Sequence, residues 1–98
     1  MKIELQALHL ELTPALERHI ECKINMAFSR LEPQITVILV RLSEEHIGDK
    51  TTGATCWLQV SIDTLGNVVV EDTQVEIYAA IDRAVQRARR SVKRVVAL

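Results

Sequence analysis

The chain reads as an α+β domain of order β-α-β-β-β-α, a four-stranded, antiparallel-rich sheet with both helices on one face. Three observations carry that expectation: period-two alternation at Lys2–Leu8 and Thr55–Asp63, a Thr13-Pro14 helix start, and helical apolar spacing through the last twenty or so residues. Elements with one apolar face must bury it against another layer, which puts the helices together over the sheet. The 98 residues make one domain, residues 1–98, with enough chain for a single core and little to spare. A 48% hydrophobic content with only three Gly and two Pro predicts a chain that is globular throughout.

Lys2–Leu8 alternates, with Ile3, Leu5 and Ala7 on the inner face. Thr13 can cap the orphan amides of the first helix, and Pro14 at its first position loses no hydrogen bond. Leu16, Ile20, Ile24, Ala27 or Phe28, and Leu31 then form a buried stripe until Pro33 stops the helix. Ile35–Ser43 is β-branched and apolar on both faces, as in a central strand. Glu44–Gly53 is polar and reads as a loop. In the next strand Cys56, Leu58, Val60 and Ile62 face inward and Thr55, Trp57, Gln59 and Ser61 outward.

Leu65-Gly66-Asn67 supplies hairpin chemistry into Val68–Glu71, with Val68 and Val70 inward. Thr73-Gln74-Val75-Glu76 matches a capping box ahead of a long helix. The buried side of that helix is expected at Ile77, Ile81, Ala84, Val85, Ala88, Val92 and Val95. The expected core packs Ile3, Leu5, Ile38, Val40, Leu58, Val60, Val68 and Val70 against Leu16, Ile20, Ile24 and the inner face of this helix.

Charge is distributed unevenly. Residues 83–98 carry Arg83, Arg87, Arg89, Arg90, Lys93 and Arg94 and no acid, whereas residues 1–82 hold six Lys/Arg against thirteen Asp/Glu. The net charge of −1 conceals a dipolar molecule. At about 100° per residue, Arg83, Arg87, Arg90 and Arg94 fall in a stripe roughly 60° wide, with Arg89 and Lys93 in a second row beside it. Like charges on one ridge repel, so the arrangement suits a polyanion, most simply nucleic-acid phosphates. A solvated helix face is the plain alternative.

Other chemistry finds little support. His19, Cys22, His46 and Cys56 have no paired metal-ligand spacing, and no nucleophile, orienting group and oxyanion loop occur together, so neither metal, cofactor nor enzymatic activity is expected. The isolated glycines build no phosphate loop for a small-molecule substrate. No apolar run reaches the length of a membrane span and Met1 leads straight into a strand pattern, which predicts a cytoplasmic protein with reduced cysteines. Tyr78 is expected to pack at the helix start. Trp57 and Val69, rimmed by Thr55, Gln59 and Ser61, give the outer sheet face an apolar centre suited to partial cover or to a weak homodimer contact.

Glu11-Leu12-Thr13-Pro14-Ala15-Leu16 and Glu76-Ile77-Tyr78-Ala79-Ala80-Ile81-Asp82, each opening a helix, and the basic helix after the second motif carry a family resemblance. Together with the element order, they make the chain resemble the bacterial ribosome hibernation promoting factor and ribosome-associated inhibitor family, the sigma-54 modulation proteins, over essentially its whole length. The resemblance implies a fold related to the double-stranded RNA-binding domain. It also implies a factor that binds small-subunit ribosomal RNA near the decoding region and blocks the messenger and transfer RNA sites during stress or stationary phase. Arg87, Arg90, Lys93 and Arg94 match basic positions of the family's second helix, and Lys23 one of its first. Arg83 and Arg89 are additional charges.

The chain departs from the family at Thr51, Thr52 and Gly53, where basic residues are usual, and in its acidic body. That departure favours an alternative, a diverged member acting as a homodimer or protein-interaction module without tight ribosome binding. Ending at Leu98, directly after the basic helix, the chain is expected to act as a short form that blocks one ribosome without pairing two.

Overall fold

The computed structural model describes residues 1–97. Its elements are β1 (Lys2–Leu8), α1 (Pro14–Phe28), a 3₁₀ segment (Ser29–Gln34), β2 (Ile35–Ile47), β3 (Lys50–Ile62), β4 (Gly66–Gln74) and α2 (Ile77–Ala97). The expected order β-α-β-β-β-α is therefore the observed one. The sheet runs β1-β2-β3-β4; β1 and β2 are parallel and joined through α1, and the remaining neighbours are antiparallel. A parallel pair requires a crossover, and α1 supplies it while covering the inner face.

The inner face carries the core. Ile38, Val40 and Leu42 from β2, Ala54, Cys56, Leu58, Val60 and Ile62 from β3, and Val68 and Val70 from β4 are buried under Leu16, Ile20, Ile24 and Phe28 of α1 and the apolar side of α2. β2 and β3 are the central strands, as the apolar run at Ile35–Ser43 predicts. Ile3 and Leu5 are only half-buried and Ala7 is exposed, because β1 is an edge strand on the side of the sheet away from β3 and β4, where α2 packs.

Thr13 caps α1 as expected: its hydroxyl accepts from the Leu16 amide at 3.2 Å. The α-helix closes at Phe28, earlier than the stripe through Leu31 suggests, and tightens into the 3₁₀ segment that contains Pro33. Proline has no amide hydrogen to continue an α-helical ladder.

Three expectations give way. The polar stretch Glu44–Gly53 is not a loop but a two-stranded ribbon that extends β2 and β3 beyond β1 and β4. His46 pairs with Thr51 and Ile47 with Lys50, leaving Gly48-Asp49 as the turn, with Gly48 at φ +61° where a side chain is disfavoured. Both faces of the ribbon are wet, so it lacks the alternation that reveals a half-buried strand. The second hairpin turns at Asp63–Leu65, and Gly66 and Asn67 already pair with Ile62 and Ser61 in β4.

The capping box does not form. Thr73 lies in β4, where its hydroxyl is 2.8 Å from that of Thr55 across the strands. Glu76 caps α2 by itself: its carboxylate accepts from the amides of Tyr78 at 3.1 Å and Ala79 at 2.8 Å, and its carbonyl accepts from Ala80. A negative group there also complements the positive end of the helix. Strand pairing extends to Gln74 and delays the helix start beyond the reach of Thr73.

Among the described residues no helix is long and apolar enough to cross a membrane. Truncating Leu58 or Ile81 to Ala is expected to cost about 2–5 kcal/mol, whereas Val69→Ala on the outer face should change stability by less than about 0.5 kcal/mol. Urea denaturation measures both, and equal costs would reject the assigned faces. Cys56 is buried, and burial, reinforced by the nearby charge of Asp72, pushes its thiol up to about 12. Cys22 is exposed. A thiol reagent at neutral pH should therefore modify one cysteine in the folded protein and two in denaturant.

Candidate nucleic-acid interface

α2 seats its buried side, Ile77, Ala80, Ile81, Ala84, Val85, Ala88 and Val92, on β3 and β4, with Val95 half-buried at its end. Its remaining arc presents the basic residues. β4 ends beside Ala54 near the ribbon, so α2 starts at the ribbon end of the sheet and runs roughly 30 Å to the opposite end. The molecule measures 47 Å along its longest axis. Glu44, Glu45 and Asp49 stand on the ribbon, and Arg90, Lys93 and Arg94 stand in the last turns of α2, so the charge asymmetry of the sequence becomes a dipole in space. Cations in the last turns also complement the negative end of the helix.

The predicted arginine stripe divides in two. Arg87 reaches over β4, where its Nη1 donates to the Glu71 carbonyl at 2.8 Å and to Asp72 Oδ2 at 3.0 Å. Arg83 places its Nε 3.6 Å from the same oxygen. Gln74 donates to Asp72 Oδ1 at 2.6 Å. Asp72 is only 7% exposed and is the one buried charged residue among those described. Burial alone would raise its pKa; the hydrogen bonds from Gln74 and Arg87 and the charges of Arg83 and Arg87 outweigh it, holding the carboxyl below the ordinary 3.8. Arg89, Arg90, Lys93 and Arg94 have no ion-pair partner among the described residues.

The opposite flank of α2 meets α1. Asp82 Oδ1 lies 2.7 Å from His19 Nε2 and 3.9 Å from Lys23 Nζ, and the His19 ring stands edge-on to Tyr78 with centroids 4.8 Å apart. Tyr78 thus packs at the helix start, as expected, as part of the α1–α2 contact. Lys23 sits on the α1 side of a groove that continues towards the helix C-termini as a depression of about 600 Å³, lined by Met26, Arg30, Leu31, Arg89 and Lys93 among others. Arg30, in the 3₁₀ segment, thereby joins the second basic row, which the helical spacing of α2 by itself could not show. Asp72 is the other residue missed; continuing the inward alternation Val68, Val70 by one more step would have found it.

The outer sheet face is uncovered. Trp57 is half-buried there, with the Arg41 guanidinium 4.5 Å from the ring centroid, and Arg41 Nε donates to Gln6 at 3.2 Å. A cation on the ring covers the apolar centre in part. Val69, 54% exposed, remains open beside it.

The arrangement defines a class: a two-layer α+β domain with one bare sheet face and a cationic helix along the other layer. Residues 3–97 match the family described as sigma 54 modulation protein / S30EA ribosomal protein, and the chain belongs to that family. It is similar to the N-terminal domain of Protein Y from Thermus thermophilus, with 35% identity and a TM-score of 0.80 over 96% of this chain and 98% of that one. It shares its fold with a ribosomal subunit interface protein from Coxiella burnetii, at 15% identity and a TM-score of 0.81 over the whole of both chains. No curated protein matches it.

Asp72 predicts an acid-dependent stability. Its folded pKa is lowered, so its contribution is present above the ordinary value of 3.8 and is lost as pH falls through the lower folded value. Asp72→Asn should melt below the wild type near neutral pH, and the gap should close in strong acid. A gap that persists unchanged in acid would contradict the pairing.

Proposed function

We propose that the protein associates with the small ribosomal subunit and lays the basic end of α2 on its RNA near the decoding region. Occupying the path of messenger and transfer RNA during stress or stationary phase, it silences idle ribosomes by blocking, with no reaction of its own. The observation that carries this reading is the group Arg89, Arg90, Lys93 and Arg94, free of ion pairs among the described residues, in a chain of a ribosomal family. Mutual repulsion of these cations is relieved by phosphates. Lys23 and Arg30 flank them across the α1–α2 groove. Arg83 and Arg87 are shared with Asp72, which competes with the RNA for them. Contacts of this kind recognise a folded RNA by shape and backbone rather than by base sequence.

A second reading, a homodimer or protein-interaction module without tight ribosome binding, is favoured by the uncovered outer face with Trp57 and Val69. Any such dimer should be weak, and Trp57→Ser should shift it towards monomer in sedimentation equilibrium without unfolding the protein.

Co-sedimentation with ribosomes at moderate salt separates the two readings. With four cations on phosphates, the log–log dependence of affinity on salt should have a slope of about −3 to −4. Arg90→Glu combined with Arg94→Glu should abolish co-sedimentation while leaving the melting temperature nearly unchanged, because exposed charges contribute little to stability. Retained binding by that variant would remove the end of α2 as the contact surface.

A further inference from the structure

The inward row of β4 runs Val68, Val70, Asp72, and its last position is the one that chemistry does not explain by packing. An apolar side chain would close the row over the core, whereas a carboxylate only 7% exposed needs compensation. That compensation comes from α2. Arg87 bridges the Glu71 carbonyl and Asp72, and Arg83 approaches the same carboxylate oxygen, so two of the four ridge arginines are aimed at β4. Both remain partly open, Arg83 at 61% and Arg87 at 46% of the side chain. They are within reach of an external anion, yet a phosphate taking Arg87 would leave Asp72 with the Gln74 amide as its remaining hydrogen-bond donor. Leaving a buried carboxylate short of donors opposes that exchange.

We propose that Asp72 is an internal competitor for phosphate: it withholds Arg83 and Arg87 from bound RNA and confines the contact to the C-terminal half of α2. The inference rests on the RNA-binding reading and adds a residue that sets its strength. Asp72 acts through the two arginines and touches no RNA itself. The effective charge presented to RNA is four on this helix rather than six, which weakens binding and makes it less sensitive to salt.

The alternative role for Asp72, orienting Arg87 towards RNA, predicts the opposite outcome. Asp72→Asn keeps an acceptor oxygen and removes the charge. Binding of the full chain to purified bacterial small ribosomal subunits, measured across a salt series, should tighten by at least about tenfold for Asp72→Asn, and the log–log slope should steepen from about −3 to −4 to about −4 to −5. Adding Arg83→Gln and Arg87→Gln to Asp72→Asn should return both quantities to near the wild-type values, a coupling that a general structural effect would not produce. Asp72→Thr, suited to a strand, replaces Asp72→Asn if the latter fails to fold. Unchanged or weaker binding by a folded Asp72 variant overturns the proposal. Elution from a heparin column separates it from the ribosomal reading. If no form of the protein binds subunits, that reading fails, while later elution of the Asp72 variant still supports the withholding of the two arginines and unchanged elution refutes it.

Discussion

The inward row Ala54, Cys56, Leu58, Val60 and Ile62 of β3 lies under α2, and the small residues Ala80, Ala84 and Ala88, all fully buried, let the helix approach the strands closely. A helix seated on alanines has little freedom to roll, since its larger buried neighbours Ile77, Ile81, Val85 and Val92 must pack against the same layer. The seating fixes the direction of every other side chain on α2. Arg83 and Arg87 hang over the β4 edge, Asp82 and Arg89 face α1, and Arg90 and Arg94 continue the Arg83/Arg87 stripe towards the end of the helix.

Charge therefore divides according to packing. Near the start of α2 its polar groups are consumed within the molecule, Asp82 by His19 and Lys23, and Arg83 and Arg87 by Asp72. These contacts tie the helix to α1 on one side and to β4 on the other. Towards its end the same helix carries cations that stand without ion-pair partners among the described residues. The ribbon carries Glu44, Glu45 and Asp49 at the far end of the long axis. A charge distribution of this kind orients the molecule in the field of a polyanion and presents one end first.

The two faces of the sheet have been given different tasks by the same alternation. Inward positions build the core; outward positions leave Trp57 beneath Arg41 with Gln6 holding the guanidinium. This row spans β1, β2 and β3 and ends at Glu71 on β4, whose carbonyl receives Arg87 from the helix layer. The edge of β4 is thus where the layers are joined by polar contacts rather than by the core.

By itself the sequence determined the element order, the inward faces, the Thr13 cap and the concentration of cations on the last helix. Each of these is recorded locally, because burial of one face forces period two in a strand and 3.6 in a helix. Glu44–Gly53 left no such record, since a ribbon wet on both sides buries neither face. The cap at Thr73 was a local pattern overruled by strand pairing that runs on to Gln74. Which arginines are occupied was decided only by tertiary structure: Asp72 meets Arg87 and Arg83 because β4 and α2 are packed side by side with one register and one helix seating. Charge along a chain counts groups. Only packing brings together groups fifteen residues apart, and that pairing determines which charges remain for a partner.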